Sequence, residues 1–413
     1  MDNANQNRVH RVSWLICGDE SYGMRSAYLS LHKGLQAYGW PVSVVAMVDG
    51  PMASALRERG VAVQCMGAIG AQWPFLLDGG TVGRLRKFML RHRLARRGGA
   101  ELAALLLAQG CDAIYVRWPG LLPVASRAAA RLGVPCFWHS PSAFNETGLR
   151  LSAKLYQWQC YRYNVASMAN SAHTASTLGQ WPVRPKVVHL GADSTVFDPH
   201  RVRPVSRRDL GIPGDAVVIG VFASISWKKG QGRVFQAILS LGNEAGNVHL
   251  LLVGRTWVPE ALTSMQRAAA QARAAGRLHV AGDVSDPERY WLAVDVGASC
   301  YIGAEGFGLS VVEGMMMGRP QLVHARGGPA ETVIDGITGW HAPDASVESF
   351  ACGLRRVIAD RERWMSMGQA ARDRALTCFS CEAFAQRFMG IVRETVARRA
   401  GSPAAVRDGL EAT

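Results

Sequence analysis

Along the chain, short apolar runs alternate with longer stretches whose apolar positions recur every three or four residues. "RVSWLICG" carries a run from Val12 to Cys17 and reads as a buried strand. In "RSAYLSLHKGLQAYG", Ala27, Leu31, Leu35 and Tyr38 form one helical stripe that ends at Gly39. The alternation continues through "WPVSVVAMV", "MASALRERG", "VAVQCMG", "AELAALLLAQG", "DAIYVRW", "VASRAAARLG" and "VPCFWH". Strands alternating with helices predict a parallel sheet covered on both faces. "VFDPHRVRPVSRRDLGIPGD" then carries three prolines with little periodicity, and reads as a linker. Beyond it the pattern restarts with "AVVIGVFAS", "QGRVFQAILSLGN", "VHLLLVG", "TSMQRAAAQARAAG", "LHVAG", "PERYWLAVD" and "VGASCY".

The predicted architecture is therefore α/β: two Rossmann-like, doubly wound domains facing a cleft, over residues 1–200 and 201–385. A total of 413 residues suits two domains of about 200 each. The amphipathic helix "CEAFAQRFMGIVRETVARRA", which starts at Cys381 and runs into the remaining segment, 386–413, is expected to pack back towards the first domain, ahead of a frayed end. Ligands of doubly wound folds bind outside the carboxyl ends of the strands.

Composition narrows the class. Apolar residues make up 48% and charged residues 19%, which fits a globular chain. No apolar run reaches the roughly 18–20 residues of a membrane span, and the start lacks the pattern of a signal peptide. Cytoplasmic residence is expected, free or on the inner face of the cell membrane. Nine scattered cysteines are not a disulfide framework, and Cys378 with Cys381 lacks the second pair a metal site needs.

The net charge of +14 is uneven. Residues 1–200 hold 21 Lys and Arg against 11 Asp and Glu, and residues 201–413 hold 25 against 21. The basic excess of the first half favours phosphates, acidic sugars, anionic lipid or nucleic acid. Much of it lies in 84–97, where Arg84, Arg86, Lys87, Arg91, Arg93, Arg96 and Arg97 occur with no acid between Asp78 and Glu101. Leu85, Phe88, Met89 and Leu94 have the spacing of an apolar stripe. Such a helix is either a surface for anionic membrane or simply a solvated basic helix.

The candidate chemistry lies in "CYIGAEGFGLSVVEGMMMGRP", Cys300 to Pro320. A strand, a glycine-rich turn and a helix start form an anion site, because first-turn N–H groups and the positive dipole end point at it. Carboxylates there would repel phosphate unless they face hydroxyls, and a carboxylate accepts from two adjacent hydroxyls. Glu305 and Glu313 can thus each hold a polyol, with phosphates between, which describes a nucleoside diphosphate sugar. The alternative is a capping acid and a solvated glutamate.

"EGFGLSVVEGMMMGRP" resembles the E-x7-E signature of retaining GT-B glycosyltransferases, most closely glycosyltransferase family 4. "GGPAETVIDGITGW", "HLGADSTVFDP" and "WKKGQ" extend the resemblance over about residues 160–345. It implies that Glu305 contacts the transferred sugar and that Gly306, Phe307, Gly308 and Leu309 offer backbone to sugar and phosphates. Glu313 would hold the ribose, and Lys229 the diphosphate. The family's Arg is absent where Ala223 or Ser224 stands, so Lys228 or Arg233 compensates, or the enzyme is slow, or the charge is met elsewhere. Arg255 in "VGRTW" would touch phosphate or base edge. His139 in "CFWHSPSAF" resembles the family's strand-terminal histidine near the sugar, the alternative being a core histidine; Gly23 would approach the diphosphate.

The resulting expectation is a retaining glycosyltransferase that needs no metal. It would use a GDP- or UDP-sugar and a glycan or lipid-linked acceptor, in bacterial-type surface polysaccharide synthesis. A sugar-nucleotide epimerase on the same fold is the first alternative. A basic nucleic-acid-binding protein is the second, although no recognition motif supports it and nucleic acid is not expected as a partner.

Overall fold

The computed structural model describes residues 10–20, 22–73, 81–144 and 151–400; the side chains of 81–85, 87, 88, 151, 152 and 400 lie outside that description. The chain divides into two compact units. One comprises Met1–Asn170, Ala175–Val188 and Glu382–Thr413, and the other Ser171–Thr174 and His189–Cys381.

The first unit is built on β1 (Val12–Ile16), β2 (Val42–Ala46), β3 (Val63–Cys65), β4 (Ala113–Val116), β5 (Cys136–Ser140), β6 (Val165–Ala169) and β7 (Lys186–Val187). All pair in parallel, in the order β3-β2-β1-β4-β5-β6-β7. The helices are α1 (Tyr22–Ala37), α2 (Pro51–Arg57), α3 (Ala68–Ala71), α4 (Thr81–Ala108), α5 (Leu122–Leu132), α6 (Leu151–Arg162) and α7 (Ala172–Leu178). Every residue of β1, β4 and β5 is buried, as expected of parallel strands covered on both faces. The helix Cys381–Ala400 joins this unit from Glu382 on, and its Phe388 ring packs 5.0 Å from that of Tyr115.

Three features depart from the sequence reading. The basic stretch and "AELAALLLAQG" form one helix, α4, uninterrupted by Gly98 and Gly99. Each glycine weakens a helix interior by about 1 kcal/mol relative to alanine. Packing explains them: a Cβ at Gly99 would lie 2.8 Å from the Cβ of Arg127 on α5. Arg91 does not share a solvated face, since it is 2% exposed, with its guanidinium 4.7 Å from the Trp118 ring centroid. Met89 is exposed while Leu94 packs on the core, and the Leu85 and Phe88 side chains lie outside the described ones. The third departure is α6, which the apolar alternation does not predict.

The second unit contains β8 (Val217–Phe222), β9 (Val248–Val253), β10 (Leu278–Gly282), β11 (Val296–Ser299), β12 (Gln321–His324) and β13 (Gly339–Ala342). These are parallel, in the order β10-β9-β8-β11-β12-β13. The helices are α8 (Gln231–Ser240), α9 (Pro259–Gln271), α10 (Pro287–Trp291), α11 (Leu309–Met316), α12 (Gly328–Thr332), α13 (Val347–Ala359) and α14 (Trp364–Phe379). The proline-rich stretch read as a linker is built into this unit. Arg207 donates to the carbonyls of Ala293 (2.9 Å) and Ala216 (3.0 Å) and to Asp295 (2.8 Å).

Strand order reverses direction between β1 and β4 in the first sheet, and between β8 and β11 in the second. In doubly wound folds, ligands bind outside the carboxyl ends of the strands at such a switch point.

Candidate active site at the β8–β11 switch point

Two loops meet at the switch point of the second sheet. One follows β8, from Ala223 to Gly230; the other follows β11, from Cys300 to Gly308. Their main chains touch: a Cβ at Gly230 would lie 1.8 Å from the Cys300 carbonyl oxygen, and Ile302 N–H donates to the Lys228 carbonyl at 2.8 Å. Gly230 also has φ +71°, where a side chain is strained.

This contact joins two residues singled out in the sequence. Lys229 Nζ donates to Glu305 Oε2 at 2.8 Å, and lies 5.0 Å from the centroid of the Tyr301 ring. Both side chains keep partial exposure. Glu305 is fixed through its backbone as well, by a parallel bridge to Gly327 and by Gly328 N–H donating to its carbonyl at 2.9 Å. An ammonium carries three donors, so the pair leaves Lys229 able to serve an anion.

Gly308, at φ +85°, precedes α11, and no side chain caps that helix. Leu309 begins the helix; Val311 N–H already donates to the Gly308 carbonyl at 3.0 Å, and the N–H groups of Leu309 and Ser310 precede the helix's own ladder. Gly306 and Phe307 are buried in the turn, with the Phe307 ring 5.8 Å from that of Phe379.

Small residues in α11 serve packing. A Cβ at Gly314 would fall 2.4 Å from Gln321 Nε2 and 2.6 Å from the Trp291 ring. Trp291 in turn stacks on Phe222, at 3.6 Å and 8°. Met315, Met316 and Met317 are buried. The same close packing encloses Glu313, whose pKa is raised to about 7, first by burial and then by the nearby charge of Glu288. Glu288, in the first turn of α10, is itself raised by burial.

Other candidates sit around this centre. The Lys228 side chain is exposed. Arg233 is committed to the Ala345 carbonyl, at 2.6 Å, so it is not free to replace the family arginine missing at Ala223 or Ser224. Arg255 follows β9, accepts at its carbonyl from Ile225 N–H at 2.9 Å, and places its exposed guanidinium 5.8 Å from the Trp257 ring.

Glu331 was not singled out in the sequence. It accepts from the backbone N–H groups of Ala172 (2.9 Å) and His173 (2.8 Å) and lies 3.1 Å from His189 Nε2. Burial would raise its pKa, but these hydrogen bonds outweigh burial and lower it. In "GGPAETV" it stands in the first turn of the short helix α12, which by itself does not mark a site residue.

His139 and Gly23 belong to the first unit. His139 ends β5 and is wholly buried; Tyr115 Oη lies 2.9 Å, and Arg117 Nη1 3.2 Å, from its Nδ1. Arg117 also donates to Tyr115 Oη at 3.2 Å, so a Tyr115 hydroxyl donating to Nδ1 completes a consistent chain. Gly23 lies in the first turn of α1, with open space where a Cβ would be. At the same strand ends, Glu20, also missed, accepts from Cys17 N–H (2.5 Å) and Gly18 N–H (3.0 Å); burial raises its pKa.

Among the described residues, no group of three or more His, Cys, Asp or Glu side chains is placed to hold a metal ion, and no helix is long and apolar enough to cross a membrane.

The chain is similar to several known proteins. Residues 202–374 match the family model described as glycosyl transferases group 1. The D-inositol 3-phosphate glycosyltransferase of Kribbella flavida is 29% identical over 222 residues, 51% of each chain. The lipopolysaccharide 1,2-N-acetylglucosaminetransferase of Salmonella typhimurium is 30% identical over 190 residues, 44% of this chain and 49% of that one. The chain thus spans about half the length of these relatives. Among solved structures, Anabaena HepE in complex with UDP superposes with a TM-score of 0.75 at 19% identity, over 93% of this chain and 100% of that one. The fold is that of GT-B glycosyltransferases.

Proposed function

We propose, from the match of residues 202–374 to the glycosyl transferases group 1 family model, that the protein is a retaining glycosyltransferase of the family 4 type. It moves a sugar from a UDP- or GDP-sugar to a hydroxyl of a glycan or lipid-linked acceptor. The observation that carries this reading is the Lys229–Glu305 pair, held at 2.8 Å beside the uncapped start of α11. A cation, a helix N-terminus and a carboxylate converge there, which suits a diphosphate with a sugar attached.

In this reading the second unit holds the donor. The 306–309 turn, the α11 dipole and Lys229 receive the diphosphate, with Lys228 supplying charge in place of the missing arginine. Glu305 accepts from hydroxyls of the transferred sugar and Glu313 from those of the ribose. Arg255 meets phosphate or base edge. The acceptor hydroxyl attacks the face from which the diphosphate leaves, and the departing phosphate oxygen takes its proton. The first unit receives the acceptor, with His139 and Gly23 at its strand ends. The net charge of +10 in residues 1–200 supports an anionic acceptor. The relative named a lipopolysaccharide transferase supports surface polysaccharide synthesis.

The test is calorimetric titration with UDP, GDP and ADP, followed by NMR of the product's anomeric centre. One nucleotide should bind, Lys229→Ala and Glu313→Ala should each weaken it at least tenfold, and the product should keep the donor's anomeric configuration. Binding of none of the three would reject the donor site, and an inverted product would reject the retaining mechanism.

A further inference from the structure

Helix α6 buries Ala153 and Cys160 against the core, yet leaves its larger apolar side chains outside. Its glutamines face inward, Gln157 at 1% and Gln159 at 2% exposure, while Leu155, Trp158 and Tyr161 stand at 46%, 56% and 65%. The buried glutamines are anchored: Gln159 Nε2 donates to Ser126 Oγ at 3.1 Å, and Gln157 Nε2 to the Gly179 carbonyl at 3.2 Å. Water as the only outer solvent favours the opposite arrangement. The stripe, at spacings of three residues, is bordered by exposed Lys154 and Arg162.

This helix adjoins the most basic surface of the unit. The Gly99–Arg127 approach joins α4 to α5, and the Gln159–Ser126 bond joins α5 to α6. Among the described side chains, seven Lys and Arg of these three helices are exposed and Arg127 is half-buried, against one acid, Glu101, whose carboxylate accepts from Gly67 N–H at 2.7 Å. Arg93, Arg96 and Arg97 of α4 and Arg127 of α5 line a cavity of about 770 Å³. Arg127 and Arg162 both approach the Tyr163 ring, at 5.3 and 5.6 Å, which links the cavity to the end of α6. Burial, helped by the charges of Arg96 and Arg131, pulls the Arg127 pKa down, with only Tyr163 acting against them.

We propose that the α4–α5–α6 face docks on an anionic phospholipid bilayer, with headgroup phosphates in the arginine cavity and Leu155, Trp158 and Tyr161 at the headgroup–acyl boundary. Trp, Tyr, Lys and Arg favour that boundary, because each joins an apolar body to a polar or charged tip. Charge complementarity selects the lipid, and the apolar stripe supplies what charge alone does not. The purpose of docking, access to a lipid-linked acceptor, rests on the glycosyltransferase reading; the docking itself does not.

The test is co-sedimentation of the full chain with phosphatidylcholine vesicles, alone or mixed with phosphatidylglycerol. Wild type should bind the mixed vesicles and not the neutral ones, more weakly as salt rises. Arg93→Gln and Arg97→Gln should each lower partitioning roughly fivefold, the effect of one basic side chain at an anionic surface. Brominated acyl chains should quench wild-type fluorescence more than that of Trp158→Phe, and Trp158→Ser should lower partitioning. All these variants should keep the nucleotide affinity of wild type. Equal binding to neutral vesicles, no binding to either, or quenching independent of Trp158 would overturn the proposal. So would a dimer dispersed by Trp158→Ser, which would assign the stripe to a second copy, or tighter binding to an oligonucleotide than to the mixed vesicles. Vesicle binding without nucleotide binding would reject the glycosyltransferase reading and leave the docking surface standing.

Discussion

Glu313 is where burial, stability and ligand binding are coupled most directly. Its carboxyl is enclosed by α11 packing and titrates near 7 rather than 4.5, chiefly through burial, with a further contribution from Glu288. The unfolded chain releases this proton near pH 4.5 and the folded one near pH 7. Stability from this group is therefore full below 4.5, falls as pH rises between the two values, and is flat above 7. The whole loss is about 3 kcal/mol. Glu313→Gln removes the charge at nearly constant volume. It should stabilise the second unit by about 3 kcal/mol at pH 8, and by less than about 1 kcal/mol at pH 5. For a unit of this size, that is a Tm higher by roughly 6–12 °C at pH 8. Hydroxyls that donate to the carboxylate favour its ionised form, so nucleotide binding should release a proton and tighten as pH rises towards 7. Calorimetric scans of both proteins at pH 5 and 8, with titrations in buffers of different ionisation enthalpy, read both effects. If Glu313→Gln is no more stable than wild type at pH 8, the carboxylate is not held in a desolvated site and the reasoning fails.

Lys229→Ala should lower kcat/KM by about 10²–10³, the loss expected of one group facing transition-state charge, with thermal stability little changed. A loss below tenfold would place the diphosphate elsewhere. Gly230→Ala should destabilise the second unit by about 3 kcal/mol, because its Cβ would meet the Cys300 carbonyl at 1.8 Å in a left-handed conformation. An unshifted urea midpoint would mean that the two switch-point loops are not in main-chain contact.

The parallel sheets were legible because strands buried on both faces must be apolar throughout, and Val12–Ile16 and Val217–Phe222 are. Helix α6 was not legible, since Gln157 and Gln159 are buried while Leu155, Trp158 and Tyr161 are exposed, which blurs the usual stripe. The basic segment was legible as a helix, but not the inward turn of Arg91 onto Trp118, which depends on a residue 27 positions away. In the donor region, Lys229 and Glu305 are 76 residues apart; resemblance proposed each, and the crossover between β8 and β11 brings them together. Arg233 had the right charge, but a carbonyl on another loop claims it. Glu331 gave no signal as a single acid, because what defines it is two backbone N–H groups from the distant segment 171–174.

The loops that carry Lys229 and Glu305 meet through main-chain atoms, at Gly230 with Cys300 and Ile302 with Lys228, and Gly328 at the start of α12 holds the Glu305 carbonyl in the same way. Their shape therefore does not depend on which side chains they present. Positions 228, 301 and 302 can be varied together in a library, with Lys229 kept, while the carbonyls and N–H groups stay in place. Donor preference at this switch point can then drift, in evolution or by selection, without first passing through an unfolded intermediate.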